Sequence, residues 1–282
     1  MSPIDVDKLV EMAPEAIPLP ATTLRIIKLI NDPTSTAAEV AGVMEKDQAL
    51  TARVLRVANS AYYGLPRQVS SARDAVVLLG HNTLRSLIFT ASVAGVLGRK
   101  ATGYSLGEGD LWKHSVNVAN GSRLLSRFKH RTKAEEAYVA GLLHDIGKIV
   151  LDQYMQTEFE KTMKVAQDEG LAFSQAERKV LGVDHAQIGG LLAERWELPP
   201  QYVTAIRHHH TPLEADDDKI LTSLVHVADV IAFELGLGLG ADGLHYTLAP
   251  ECFDIAGVTQ EQYEEVIEAV GSTASEAENL FA

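Results

Sequence analysis

Apolar side chains in this sequence recur at helical intervals. Between Ala49 and Gly64, Leu50, Val54, Val57 and Ala61 follow at offsets of four, three and four, with Leu55, Ala58 and Tyr62 alongside. That spacing predicts one stripe of an amphipathic helix, which Gly64 and Pro66 would end. The stretch Ser70 to Gly80 predicts a short helix with serines suited to an N-cap and a glycine suited to a C-cap, and Asn82 to Leu97 has the length of a second. Gly98 to Gly109 then carries four glycines in twelve residues, which predicts a loop and a boundary. We expect an N-terminal helical subdomain over 1–105 and a second helical subdomain over 106–282.

The second part continues in the same period. Helices are predicted around Asp110–Phe128, Lys133–Tyr154, Thr157–Gly170, Ser174–Leu181, Asp184–Glu197, Pro199–His210 and Lys219–Gly236. The tail from Thr259 is acidic and periodic, then small and polar, which predicts a last helix with a frayed end. No run of alternating strands bounded by turns is found, so the fold class expected is all-α.

Composition narrows the class. The chain has 282 residues, 46% hydrophobic and 22% charged, enough for a full core. The longest uncharged stretch near the middle, Ser86 to Gly98, is too short to cross a bilayer and is flanked by Arg85 and Arg99. The start lacks the pattern of a secretory signal, and the single cysteine, Cys252, cannot pair within the chain, so a cytoplasmic protein without membrane contact is expected. A net charge of −13 argues against general nucleic-acid binding, which rests on many cationic contacts to phosphate.

The chemistry lies in polar residues that interrupt core-facing helices: Asp110, His114, His144, Asp145, His185, His209, His210 and Asp229. Taken singly, His114 and His185 read as hydrogen-bonded core residues, as do His226 and His81, and Asp110 reads equally as ligand or helix cap. Taken together, buried imidazoles and carboxylates are costly unless a cation satisfies them jointly. Such a donor set without cysteine suits a divalent transition metal, one or two ions of iron, manganese, zinc or nickel, rather than calcium. An aspartate between histidines suits a two-ion centre that generates hydroxide and clamps phosphoryl oxygens, with Asp145 as the bridge. Lys148, one turn beyond His144, is either a solvated lysine or an ammonium that meets a substrate phosphate from the ligand face. Arg53, Arg56 and Asn59 read either as the lining of a contact surface between the halves or, more simply, as ordinary polar positions, with Asn59 capping or bridging.

At these residues the sequence resembles the HD superfamily of metal-dependent phosphohydrolases, through His114, the doublet His144–Asp145 in "HDIGK" and the distal Asp229. "HDIGK", His185 and His209–His210 also resemble the ligands of HD-GYP cyclic di-GMP phosphodiesterases. The HDOD branch is matched more fully, by Leu19–Pro20, "RVLRVANSAYYG" at Arg53 to Gly64, "LLG" at Leu78 to Gly80, "LLHDIGK", "DHAQIGGLLAERWELP" and "HHTP". Two departures are visible: Gln48 stands where the HDOD pattern commonly has proline, and Thr211–Pro212 runs into "LEADDDK" where an HD-GYP enzyme would show a glutamate and a Gly-Tyr-Pro loop. The resemblance therefore implies a phosphohydrolase-like site that does not take cyclic di-GMP.

Two functions follow from it. One is a metal-dependent phosphohydrolase acting on a phosphorylated small molecule or nucleotide, with metal on His114, His144, Asp145, His185, His209, His210 and Asp229 and catalysis by His144, Asp145 and Lys148. The other is a signalling module that uses the same helices to bind a partner protein or nucleotide without turnover.

Overall fold

The computed structural model describes residues 17, 19–32, 34–60, 65, 67–238, 240 and 246–278, with the side chains of 276–278 excepted. The helices are α1 (Ala21–Asn31), α2 (Ala37–Met44), α3 (Gln48–Ala58), α4 (Ala72–Leu97), α5 (Asp110–Lys129), α6 (Ala134–Leu143), α7 (Gly147–Glu169), α8 (Phe173–Leu181), α9 (His185–Arg195), α10 (Pro200–His208), α11 (Lys219–Glu234), α12 (Glu251–Ala256) and α13 (Gln260–Glu278). Among the described residues the extended backbone pairs only in an isolated antiparallel bridge, Ala101 with Leu106, so the protein is all-α. Backbone contacts divide the described residues into one unit within 19–95 with 275–278 and another within 96–274 with Ile17.

The first unit is built on capped short helices. Thr36 and Glu39 form a reciprocal capping box at α2, and Asp47 accepts the Leu50 amide at α3 (2.9 Å). Leu50, Val54, Val57 and Ala58 are fully buried, as their spacing predicts. The helix stops at Ala58, earlier than the stripe through Ala61 implies, because Asn59 turns the chain. Its side-chain amide donates to the Leu55 and Val69 carbonyls (2.8 Å each), and its Oδ1 accepts the Val69 N–H (2.7 Å). Ala61, Tyr62, Gly64 and Pro66 lie outside the described residues, as do Met1–Ala16 and the end of the tail.

Gly80, with φ 71° and ψ 169°, breaks the α4 run into the two helices expected from sequence. By length and apolarity this run could cross a membrane, which the charge-free stretch alone did not indicate. Half of its most apolar window, however, is already buried in protein.

In the second unit α5 packs on α6 and α11, while α9 packs on α10 and α7. Gly189 and Gly190 allow the close approach their sequence suggested: a Cβ on either would lie 2.8 Å from α10 side-chain atoms, Ile206 Cγ2 and Arg207 Cβ respectively. Sequence spacing predicted one helix through "LLHDIGK" and another from Thr157. Instead the helix breaks at His144–Ile146, and α7 then runs unbroken to Glu169. The break lies beside Gly147, where a Cβ would fall 2.0 Å from the His185 carbonyl oxygen and 2.7 Å from the Gly189 nitrogen. The start of α7 is thereby pressed against the start of α9.

Candidate metal centre

These crossings bring one part of each of five helical segments to a common point. His114 comes from the second turn of α5, His144 and Asp145 from the end of α6, and His185 from the first residue of α9. His209 and His210 follow the last turn of α10, and Asp229 comes from the middle of α11. Apart from His210, which is half-buried, none of the seven is more than 2% exposed.

Asp145 is central, and its two oxygens face different partners. Oδ2 lies 3.5 Å from His114 Nε2 and 3.4 Å from His144 Nε2, and it also meets the Lys148 ammonium. Oδ1 lies 3.3 Å from His185 Nε2 and 3.7 Å from His209 Nε2. Asp229 Oδ1 closes the first group, at 3.0 Å from His114 Nε2 and 3.6 Å from His144 Nε2. His210 closes the second, its Nε2 at 2.9 Å from His185 Nε2.

The histidines are oriented from behind. Nδ1 of His144 donates to the Gly141 carbonyl (2.7 Å), Nδ1 of His209 to that of Ile206 (2.8 Å) and Nδ1 of His114 to that of Leu237 (3.2 Å). In the neutral, metal-binding form of the ring a proton held on Nδ1 leaves Nε2 as the lone-pair atom, and all three Nε2 atoms point inward. His185 differs, because its Nδ1 donates to the Glu177 carboxylate (2.6 Å), whose other oxygen accepts from Tyr104 Oη (2.6 Å).

The electrostatics match this crowding. Burial works against charge on His144, but Asp145 and Asp229 outweigh it and push the imidazole up to about 10. Burial also opposes charge on His185, which Glu177 and Asp145 likewise push up to about 10. His209 and His210 go the other way, held well below the usual imidazole value by burial and then by the neighbouring histidines. Burial would raise both aspartates, yet His144 and Lys148 hold Asp145, and His114 and His144 hold Asp229, well below the carboxylate range.

A divalent cation fits this donor set. Nε2 of His114, His144 and His209, Asp145 Oδ1 and both Asp229 oxygens are buried without a hydrogen-bond partner among the described residues. Such orphaned atoms are costly when nothing satisfies them. The groups His114/His144/Asp229, His144/Asp145/His209 and His185/His209/His210 each place their ligand atoms within 4.8 Å of one another.

The structure thus gathers all seven residues singled out from sequence. Asp110 stays outside the cluster: its Oδ2 accepts the Gly107 amide (2.8 Å), which stabilises the turn before α5. Lys148 is no solvated lysine, being 2% exposed. His226 is the hydrogen-bonded core residue expected, donating to the His209 carbonyl (2.8 Å) and accepting the Ala249 amide (3.0 Å). Sequence reasoning missed Glu177, Tyr104 and Tyr246, whose ring meets His210 edge-on at 4.9 Å. One signal was present: Phe173, Ala176, Glu177 and Leu181 share the buried face of α8, so Glu177 is a charge in a core phase.

Beside His210 a cavity of about 400 Å³ opens between the start of α8 and Tyr246, with Ser174, Gln175, Arg178 and Thr211 in its wall.

Comparison with known proteins agrees with the fold. The HDOD domain model matches residues 17–212, and the chain belongs to the HDOD family. An HDOD domain protein of unknown function from Geobacter sulfurreducens superposes with a TM-score of 0.75 and 28% identity over 98% of this chain and 99% of that one. A protein of Shewanella amazonensis SB2B, provisionally named a phosphohydrolase, superposes with a TM-score of 0.72 and 28% identity over 97% and 98%. An uncharacterized protein of Treponema pallidum (strain Nichols) is 25% identical over 214 residues, 75% of this chain and 41% of that protein. The chain therefore spans about two fifths of the length of that curated relative.

Proposed function

We propose that the chain is a metal-dependent phosphohydrolase whose centre is bridged by Asp145. The observation that carries this reading is the division of Asp145, with Oδ2 turned to His114 and His144 and Oδ1 to His185 and His209. His114, His144, Asp145 and Asp229 would hold one divalent ion, and Asp145, His185, His209 and His210 a second, drawn from iron, manganese, zinc or nickel. Ions so placed supply a hydroxide near neutral pH and charge to hold phosphoryl oxygens. The protein's share is to fix the imidazole tautomers through carbonyl acceptors, to keep water from all but the His210 side, and to hold Lys148 against Asp145 as local positive charge. The substrate is a phosphoester or nucleotide, in keeping with the name carried by the Shewanella relative.

A second reading is a binding module without turnover. It is favoured by the Lys148 ammonium, which already contacts the Asp145 oxygen that the first ion would take. Metal analysis of protein purified without a histidine tag, followed by hydrolysis of mono- and bis-(p-nitrophenyl) phosphate with added manganese or iron, separates the two. Bound metal with turnover that Asp145→Ala abolishes supports the enzyme. Bound metal without turnover leaves the module, and protein that takes up no metal ends the proposal.

A further inference from the structure

The cavity beside His210 lies outside the donor set yet touches it, and its lining is unusual for this chain. The protein carries 38 acidic and 25 basic residues, yet among the described residues no acidic side chain lines the cavity while an arginine does. Ser174, Thr211 and Thr247 add hydroxyls, Gln175 an amide, and Tyr246 a ring. His210 belongs to both cavity and cluster, and it is the one cluster residue that is not fully buried.

Arg178 is held in place there. Its Nε donates to Asp184 Oδ2, and Asp184 is itself fully buried, its Oδ1 accepting the Gln187 amide (2.7 Å) at the start of α9. One guanidinium N–H is thus spent on orientation, and the terminal N–H groups remain for a ligand. The first turn of α8, with Ala172, Ser174 and Gln175 on the wall, presents the positive end of a helix to the same space.

We propose that this cavity is the substrate pocket of the metal centre, that it takes a small phosphate ester of a hydroxyl-rich body, of mononucleotide size, and that Arg178 recognises the anion. The inference rests on the phosphohydrolase reading for the neighbouring ions but not for the pocket itself. An arginine reads the phosphate, hydroxyls and amide match a sugar, and the volume stands at the small end of ligand sites, which excludes a polynucleotide lying along it.

The test is calorimetric titration of full-length protein with adenosine 5′-monophosphate and with inorganic phosphate, in metal-loaded and in chelated protein. Binding of the nucleotide should weaken about tenfold or more in Arg178→Gln, survive in part in Arg178→Lys, and leave metal content unchanged. Because Arg178→Gln strands the buried Asp184, Thr247→Trp serves as a second variant: Thr247 is exposed on the wall, and an indole there should block the nucleotide while the fold and metal stay. Arg178-dependent binding in chelated protein supports the pocket even if the phosphohydrolase reading fails. Phosphate binding without nucleotide binding, wild-type affinity in both Arg178→Gln and Thr247→Trp, or no binding of either probe in either state overturns the inference.

Discussion

Glu177 Oε2 accepts a hydrogen bond from His185 Nδ1 at 2.6 Å, and neither residue has any solvent exposure. A carboxylate behind an imidazole makes its far nitrogen a better donor and locks the ring's orientation. Among the four histidines oriented through Nδ1, only His185 has a carboxylate there instead of a backbone carbonyl. Glu177→Gln should therefore keep the fold and lower metal affinity about tenfold to a hundredfold, read by competition with a chromogenic chelator. Glu177→Ala, which also removes an acceptor of the Tyr104 hydroxyl, should cost about 1–3 kcal/mol in urea unfolding besides. Unchanged affinity in both variants would make the pair purely structural.

Asp145 is the residue on which the cluster depends. In the wild-type protein manganese at about a hundredfold excess over its dissociation constant should add about 2.7 kcal/mol of stability, seen as a higher melting temperature. Asp145→Ala should show no such rise and should carry no metal. A variant that still gains stability from metal would show that Asp229 and the histidines suffice.

Gly147 is irreplaceable for a steric reason. Alanine there would put a Cβ 2.0 Å from a backbone oxygen of α9, so the two helices must separate. Gly147→Ala should lose about 3 kcal/mol in urea unfolding, and metal affinity should fall with it because Asp145 and His185 flank the contact. Gly42, whose added Cβ would meet nothing within 4 Å, is the control and should tolerate alanine.

Arg56 is exposed on α3, in the unit that supplies none of the seven clustered residues. Arg56→Glu should change stability by less than about 0.5 kcal/mol and leave metal content as it was. A protein that melts normally but loses its metal would place Arg56 in support of the centre.

Cys252 is fully buried, and burial pushes its thiol above the ordinary value. The native protein should fail to react with a disulfide reagent at pH 8 and should release one equivalent of thiol once unfolded, which makes this residue a probe of global opening. Rapid reaction of the folded protein would contradict that burial.

What could be read from sequence was what a single helix reports about itself. His114, His185 and Asp229 each interrupt an apolar stripe, so the core-facing phase marked them before any neighbour was known. The break at His144–Ile146 was hidden because "HDIGK" continues an apolar run, and the close contact beside it, Gly147 against a backbone oxygen nearly forty residues later, is invisible in one helix's pattern. Glu177 was missed for a related reason: it precedes His185 by eight residues across the turn at Gly182, so their pairing depends on how that turn folds. Lys148 had the right spacing, but only the packing of α7 decided that its ammonium would be buried against Asp145.

Glu177 and Arg178 are consecutive on α8, one turned into the cluster and the other toward the cavity. Successive helical residues differ by about 100° in direction, so a residue inserted between Phe173 and Glu177 would carry the carboxylate out to the arginine's direction and the arginine a further 100° on, away from the cavity. The stretch from Phe173 to Arg178 is therefore constrained in length as well as in its last two side chains. Families of such chains should show their insertions elsewhere, with the spacing from this carboxylate–arginine pair to the histidine at the start of α9 held constant.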